Sequence, residues 1–79
     1  MKIQILGTGC AKCKMLEANA VQAVKEAEIA AEIEKITNID RIMDMGVMIT
    51  PALAVDGDVK SAGKVLTPDE IKKIIKEVM

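Results

Sequence analysis

The sequence predicts an α/β domain with the element order β-α-β-α-β-β-α, in which helices cover both faces of a four-stranded mixed sheet. Segments that alternate apolar and polar residues are separated by segments whose apolar residues recur at helical spacing. A β-α-β connection makes the first two strands parallel, and an Asp-Gly pair predicts a hairpin near the end. With 79 residues, the chain is expected to form a single domain, residues 1–79.

The first half of the chain alternates strand and helix. Residues Lys2 to Leu6, KIQIL, alternate apolar and polar side chains, and this predicted strand stops at Gly7. An amphipathic helix of about four turns follows from Cys13 onward. Its apolar positions are Leu16, Ala20, Val24 and Ala27. Residues 31–36, AEIEKI, alternate again and predict the second strand.

Capping and turn residues organise the next segment. Thr37 and Asn38 are N-cap candidates for a short second helix, and Gly46 is its expected end. Two short apolar runs then flank Asp56-Gly57, which predicts a hairpin of the third and fourth strands.

The last helix has the most complete start signal. Thr67 is its predicted cap, Pro68 suits its first position, and Glu70 completes a capping box. Leu66 can pack on Ile71 across this start. The apolar face of the helix comprises Ile71, Ile74, Ile75 and Val78. We expect this face to dock on the sheet.

Composition and charge exclude some functions. The chain has no Phe, Tyr or Trp and a net charge of -1. It therefore has neither a base-stacking platform nor a basic surface, and nucleic acid is not an expected partner. The N-terminal apolar stretch is too short for a signal peptide, and no segment approaches a membrane span. We expect a cytoplasmic location without membrane contact.

Two cysteines lie where the first strand gives way to the first helix. Cys10 falls near the helix start, where unpaired N–H groups and the helix dipole favour a thiolate. With Lys12 and Lys14 nearby, these effects lower a thiol pKa from about 8.5 to between roughly 3.5 and 7.5. Cys10 is thus a predicted nucleophile. Cys13, on the inner side of the helix, should stay protonated longer and resolve a mixed disulfide.

The C-x-x-C spacing by itself fits a redox couple, a metal site, or two buried side chains without chemistry. The chain has two Cys and no His, so it lacks the nitrogen and sulfur ligands for a closed zinc site. Two thiolates can still hold Cu(I), which accepts few soft ligands. A copper carrier is therefore the main alternative to a redox protein. A redox sensor or regulator that uses the same cysteines is a third interpretation.

Several motifs together resemble those of a thioredoxin-fold protein. These motifs are CAKC at the start of the first helix, Thr50-Pro51 before the third strand, DGDV in the hairpin and Gly63 before the last helix. The resemblance covers the chain apart from the leading β-α unit of full-length thioredoxins, which is absent. It is greatest to the very small thioredoxin-like and glutaredoxin-like proteins called redox-active disulfide proteins. It implies a minimal thioredoxin fold.

The resemblance also implies a function. It is that of a thiol-disulfide oxidoreductase that reduces protein disulfides through a reversible Cys10–Cys13 disulfide, without a bound cofactor or metal. Pro51 matches the cis-proline that faces the C-x-x-C in this family, and Thr50 matches the residue whose backbone pairs with an extended substrate. The expected partners are disulfide-containing target proteins and a thioredoxin-reductase-like electron donor. The protein is expected to be a monomer.

The chain departs from the thioredoxin pattern near the site. Gln4 stands where thioredoxins have a buried aspartate that helps deprotonate the second cysteine, and an amide cannot take a proton. Glu32 falls near the place of the usual lysine partner and is a candidate replacement, although a solvated strand face explains it more simply. Lys12 either tunes the Cys10 thiolate or is simply solvated. The SAGKVLT segment lacks the acidic pair with which glutaredoxins hold glutathione.

Copper carriers of the heavy-metal-associated type differ in element order. They follow β-α-β-β-α-β and usually carry Met-x-Cys at the site. This chain has Thr8-Gly9-Cys10 and a predicted helix over residues 38–46. Element order therefore favours the redox interpretation.

Overall fold

Seven elements follow one another in the predicted order. They are β1 (Lys2–Leu6), α1 (Ala11–Ala27), β2 (Glu32–Ile36), α2 (Ile39–Asp44), β3 (Ala52–Val55), β4 (Asp58–Ala62) and α3 (Pro68–Val78). The computed structural model describes residues 1–9 and 11–78. The four strands form one mixed sheet with helices packed on both faces, so the predicted fold class is confirmed. Within these two ranges, no helix combines the length and the apolar character that crossing a membrane requires.

β1 lies inside the sheet, whose strand order is β2-β1-β3-β4. It pairs in parallel with β2 and antiparallel with β3, and β3 forms a hairpin with β4. Leu6 lies opposite Ile36 on one side and Ala52 on the other. The Gly7 amide continues the ladder by donating a hydrogen bond to the Ile36 carbonyl at 3.0 Å. The end of β1 and the start of β3 therefore lie side by side at one end of the sheet, next to the loop that leads into α1.

One face of the sheet packs against α1 and α3. Alternate strand residues point to this face because successive side chains in a strand lie on opposite sides. The buried cluster comprises Ile3, Ile5, Leu16, Ala20, Ala23, Leu53, Leu66, Ile71 and Ile75. Full burial of one such aliphatic side chain contributes roughly 1.5–3 kcal/mol. Ala23 is fully buried where the sequence pointed to Val24 and Ala27, because α1 packs against α3 as well as against the sheet.

The other face of the sheet packs against α2. Its smaller cluster comprises Leu6, Ile36, Ile42, Val47, Ala52 and Ala54. Ile42 is the buried residue of the six-residue helix α2. The two clusters contain alternate residues of β1 and β3, as expected for a sheet that is buried on both sides.

Side chains cap α2 and α3 as predicted. The Asn38 Oδ1 atom accepts hydrogen bonds from the amides of Asp40 and Arg41, at 2.8 and 3.3 Å. At the start of α3, the Thr67 hydroxyl accepts from the Glu70 amide at 3.2 Å, and the Glu70 carboxylate accepts from the Thr67 amide at 3.1 Å. A cap of this kind stabilises a helix by about 1 kcal/mol.

The predicted hairpin turn is confirmed. Asp56 and Gly57 both adopt positive φ, 52° and 86°, as a type I′ turn requires at its two central positions. The Gly57 amide also donates a hydrogen bond to the Gln4 side-chain oxygen at 2.8 Å. The turn is thereby tied to the inner strand β1.

Helices α1 and α2 end in the same hydrogen-bonded motif. In α2, the Gly46 amide donates to the Met43 carbonyl and the Val47 amide to the Ile42 carbonyl, which is the Schellman arrangement. Gly46 has a φ of 84° and ends this helix as predicted.

In α1, the Glu28 amide donates to the Lys25 carbonyl and the Ile29 amide to the Val24 carbonyl, in the same arrangement. Glu28 has a φ of 54°. The left-handed position that glycine takes at the end of α2 is therefore taken by a glutamate at the end of α1.

Candidate active site

Cys13 lies in the first turn of α1. The helix begins at Ala11, and the Cys13 side chain is 5% exposed because it lies on the inner side of the helix, one turn before Leu16. Cys10 lies outside the described residues, so its exposure and its lowered pKa stay predictions. The roles of the two cysteines as nucleophile and resolving residue stay predictions as well.

Gly7 makes room for Cys13. A Cβ atom placed on Gly7 would overlap the Sγ atom of Cys13 and lie 3.2 Å from its Cβ. A larger residue at position 7 would therefore displace the sulfur or the first turn of α1. Sequence reasoning took Gly7 only as the end of β1. A glycine just before a C-x-x-C loop was the available signal, but it equally fits an ordinary strand end.

Pro51 lies beside Gly7, where β1 ends and β3 begins. The register pairs Leu6 with Ala52, and a Cβ placed on Gly7 would be 3.9 Å from the Pro51 Cα. The Thr50-Pro51 peptide bond is cis. The structure therefore brings Cys13 and Pro51 together around Gly7, whereas the substrate-binding roles of Thr50 and Pro51 stay predictions.

An apolar groove of about 290 Å³ lies between the loop after β1, helix α2 and the segment before β3. Its lining residues are Thr8, Ile39, Ile42, Met43, Val47, Met48 and Thr50. The Met48 side chain is 96% exposed, and Ile39 and Met43 are more than half exposed. Methionine side chains are flexible and polarizable, so they adapt to different apolar partners. The groove joins the cysteine loop at Thr8 and the cis-proline at Thr50.

A smaller cavity, of about 100 Å³, adjoins Cys13 on the α1 face of the sheet. Its lining residues are Ile5, Gly7, Gly9, Cys13, Lys14, Glu17, Lys35 and Thr37. Glu17 and Lys35 form an ion pair in its wall, with 3.1 Å between Oε2 and Nζ. Sequence reasoning missed this pair. Two spacings in the sequence were the available signals. Glu17 follows Cys13 by four residues, which places both side chains on one face of a helix. Lys35 follows Ile33 by two residues, which places both on one side of a strand.

Gln4 faces away from Cys13. It lies on the same side of β1 as Leu6, which packs in the α2 cluster. The Gln4 amide nitrogen donates a hydrogen bond to Glu34 Oε1 at 3.2 Å. Lys2 and Arg41 also contact the Glu34 carboxylate, at 3.4 and 3.8 Å.

The surroundings of Glu34 favour its ionised form. The hydrogen bond from Gln4, together with the positive charges of Lys2 and Arg41, holds the pKa of Glu34 below its ordinary value of 4.5. The carboxylate that contacts Gln4 is therefore a stabilised anion on the α2 face of the sheet.

Among the described residues, Glu32 does not line the cavity beside Cys13. Glu32 is exposed, lies opposite Lys2, and shares its side of β2 with Glu34. The cavity beside Cys13 is lined by Lys35 from the other side of this strand and by Thr37 just after it. Lys12, the second tuning candidate, is exposed in the first turn of α1. The tuning roles of Glu32 and Lys12 have no supporting contact among the described residues.

The described part of the site combines a thiol with an apolar surface. A buried sulfur, a cis-proline just before β3 and an exposed apolar groove lie around the loop that follows β1. In residues 1–9 and 11–78, which leave out Cys10, no three His, Cys, Asp or Glu side chains are grouped to hold a metal ion.

Comparison with known proteins identifies the family. The family model described as thioredoxin domain matches residues 1–76. The chain is 57% identical to a thioredoxin of Methanothermobacter thermautotrophicus over 75 residues, which cover 95% of this chain and 97% of that protein. It is 39% identical to a thioredoxin of Methanocaldococcus jannaschii over 77 residues, which cover 98% of this chain and 88% of that protein. The chain therefore belongs to the thioredoxin family and is a thiol-disulfide oxidoreductase.

Proposed function

We propose that the protein reduces disulfide bonds in target proteins with Cys10 as the attacking residue and Cys13 as the resolving residue. The observation that carries these roles is the burial of Cys13 on the inner side of α1, between Gly7 and the helix. A buried sulfur is poorly accessible to a large target, and Cys13 follows Cys10 by only three residues in the sequence, which suits attack on a mixed disulfide formed at Cys10. The reversible Cys10–Cys13 disulfide is the redox group, and no bound cofactor is needed.

The reaction has two steps. The Cys10 thiolate attacks one sulfur of the target disulfide, a mixed disulfide forms, and the first target thiolate leaves and takes up a proton. Cys13 then loses its proton and attacks the Cys10 sulfur. This breaks the bond to the target and releases the second target thiol. The target gains two electrons and two protons, and the protein is left with a Cys10–Cys13 disulfide.

The apolar groove supplies a docking surface for the target. An extended segment that pairs with the backbone at Thr50 would place an apolar side chain over the groove. Met43 and Met48 can repack around side chains of different shapes, which suits a protein that acts on several targets. The target is therefore expected to carry an apolar residue near its disulfide.

The partners and location follow from the reaction. Because each turnover leaves the protein oxidised, a thioredoxin-reductase-like electron donor is required to restore the dithiol. We place this cycle in the cytoplasm, whose reducing conditions keep thiols reduced, and we expect the protein to work as a monomer.

The test compares variants of the two cysteines. Disulfide reduction driven by dithiothreitol should fall to the uncatalysed rate in Cys10→Ser, because the first attack is lost. Cys13→Ser should accumulate a mixed disulfide with the target, because attack remains while resolution is lost. Mass spectrometry of the intact protein measures this adduct. Equal turnover by the wild type and Cys10→Ser would remove the proposal.

The same comparison separates the redox proposal from a copper carrier. A carrier would bind Cu(I) tightly with negligible disulfide turnover in the wild type. The observed β-α-β-α-β-β-α order also differs from the β-α-β-β-α-β order of heavy-metal-associated carriers.

A further inference from the structure

We propose that Glu17 accepts the proton of Cys13 in the resolving step, and that Lys35 holds the Glu17 carboxylate in place. This inference rests on the proposed function, in which Cys13 attacks the mixed disulfide. It assigns the proton to a carboxylate on α1, whereas the sequence pointed to Glu32 on β2.

The resolving step needs a proton acceptor on the inner side of α1. The thiolate is the attacking species, and a thiol loses its proton less readily in apolar surroundings. The Cys13 side chain is 5% exposed and packs against Gly7. An acceptor that shares a cavity with this side chain can take the proton without exposing the sulfur.

The cavity beside Cys13 supplies the route. Glu17 follows Cys13 by four residues on α1, so the two side chains lie on the same face of the helix. Both line the cavity of about 100 Å³, which is large enough to admit water molecules between them. The Glu17 side chain is 29% exposed, so a proton that it accepts can pass on to solvent.

The charged groups around the cavity identify Glu17 as the acceptor. Among the described residues, the titratable side chains that line the cavity with Cys13 are Lys14 and Glu17 of α1 and Lys35 of β2. A lysine ammonium has three donors and no acceptor, so it cannot take the proton. β1 contributes the uncharged Ile5 and Gly7.

The charges of α3 lie elsewhere. Lys72 of this helix pairs with Glu26, farther along α1, at 2.9 Å.

Lys35 contacts Glu17 at 3.1 Å, and this contact fixes the carboxylate in the cavity wall.

The step balances without an added reactant. The Cys13 proton moves through water to the Glu17 carboxylate, and the Cys13 thiolate forms a bond to the Cys10 sulfur. The bond between Cys10 and the target sulfur breaks, and the target thiolate leaves with the electron pair. The departing thiolate or solvent then takes the proton from Glu17, which returns to its carboxylate form.

A chromophoric disulfide separates the two chemical steps. Reduced full-length protein is mixed with a symmetric nitrothiobenzoate disulfide in a stopped-flow instrument. Attack by Cys10 releases the first coloured thiolate, and resolution by Cys13 releases the second. The rate of each phase is measured across the pH range for the wild type and Glu17→Gln. Glu26→Gln is the matched control, because Glu26 is also an ion-paired glutamate of α1 but lies outside the cavity.

We expect Glu17→Gln to slow the second phase about tenfold at neutral pH. This is smaller than the rate enhancement that general-base catalysis typically provides. The first phase should be unchanged. The deficit should shrink at high pH, where hydroxide replaces the carboxylate as acceptor. Glu26→Gln should match the wild type in both phases. Glu17→Ala, which preserves α1 because alanine has the highest helix propensity, serves as a second variant with the same expectation.

A purely electrostatic role of Glu17 predicts the opposite sign. Removal of a negative charge beside Cys13 makes its thiolate easier to form, so the second phase would become faster. An unchanged or faster second phase, or an equal deficit at every pH, would overturn the inference. If Cys10→Ser abolishes both phases while Glu17→Gln leaves the second unchanged, the proposed function stands and only the role of Glu17 fails.

Discussion

A glutamate that is ion-paired with a lysine lies on each side of the sheet, Glu17 on the α1 side and Glu34 on the α2 side, but the two glutamates have different neighbours. On the α1 face, Glu17 and Lys35 line a cavity with the Cys13 sulfur. On the α2 face, Glu34 is bound by the Gln4 amide and by Lys2. The same residue type therefore adjoins a reactive group on one face and a structural hydrogen-bond network on the other. We expect substitution of Glu17 to change activity and substitution of Glu34 to change stability.

The largest expected effect is that of Gly7→Ala on the α1 face. The new Cβ would overlap the Cys13 Sγ atom, so the sulfur or the helix start must move. A displacement of about 1 Å in a reacting group costs roughly 100-fold in rate, and overpacking costs about 1–3 kcal/mol in the free energy of unfolding. Disulfide turnover and urea denaturation measure the two effects.

Gly57→Ala is the control for this prediction. Gly57 has a φ of 86°, a Cβ added to it would meet no other heavy atom within 4 Å, and its hairpin lies at the end of the sheet remote from Cys13. Alanine there should cost about 1–2 kcal/mol through backbone strain and leave disulfide turnover unchanged. If Gly7→Ala lost stability to the same degree and kept full turnover, the contact between Gly7 and Cys13 would have no role in the reaction.

The ends of α1 and α2 should respond in opposite directions. Glu28→Gly is expected to raise the free energy of unfolding by about 0.5–1 kcal/mol, because glycine adopts positive φ without strain. It also removes a negative charge from the C-terminus of a helix. Gly46→Ala should lower the free energy of unfolding by about 1 kcal/mol, because alanine is strained at a φ of 84°.

Urea denaturation measures both of these variants. A destabilising Glu28→Gly would show that the glutamate side chain contributes more at this position than the backbone strain costs. Turnover should be unaffected in Glu28→Gly, whose substitution lies at the end of α1 away from Cys13.

The smallest expected effect is a change in pH dependence for Glu34→Gln. The Gln4 hydrogen bond lowers the pKa of Glu34 in the folded protein, so the folded state binds this proton less readily than the unfolded chain does. The resulting stabilisation is present above the ordinary pKa of 4.5 and is lost as the pH falls below it. Glu34→Gln should therefore weaken the fall in the thermal midpoint on acidification.

Glu32→Gln is the matched control, since it removes the same charge from the same side of β2 without the contact to Gln4. Its acid profile should follow the wild type, and its turnover should be unchanged. A loss of turnover in Glu32→Gln would instead support the tuning role first inferred from the sequence. Added salt should reduce the difference between Glu34→Gln and the wild type, because exposed ion pairs are screened.

Local patterns in the sequence were sufficient for the elements and their order. The cap at Asn38, the capping box at Thr67 and the turn at Asp56-Gly57 each depend on residues within a few positions of one another. One boundary differs by a residue: β2 begins at Glu32, one residue after the start predicted at Ala31. The amide of Glu32 donates a hydrogen bond to the carbonyl of Met1, the residue before β1, at 3.0 Å, so this start is set by pairing with a distant segment that local patterns do not reveal.

The sequence by itself determined the fold class, the helix caps and the position of Cys13 at the start of α1, because these features arise from local periodicity and turn chemistry. Tertiary structure decided which polar residues adjoin Cys13. Alternation along a strand shows that Gln4 and Gly7 face opposite sides, but it does not show which side α1 will cover. Packing of α1 over the side of Ile5 and Gly7 brings Lys35 to Glu17 beside the sulfur and leaves Gln4 with Glu34 under α2.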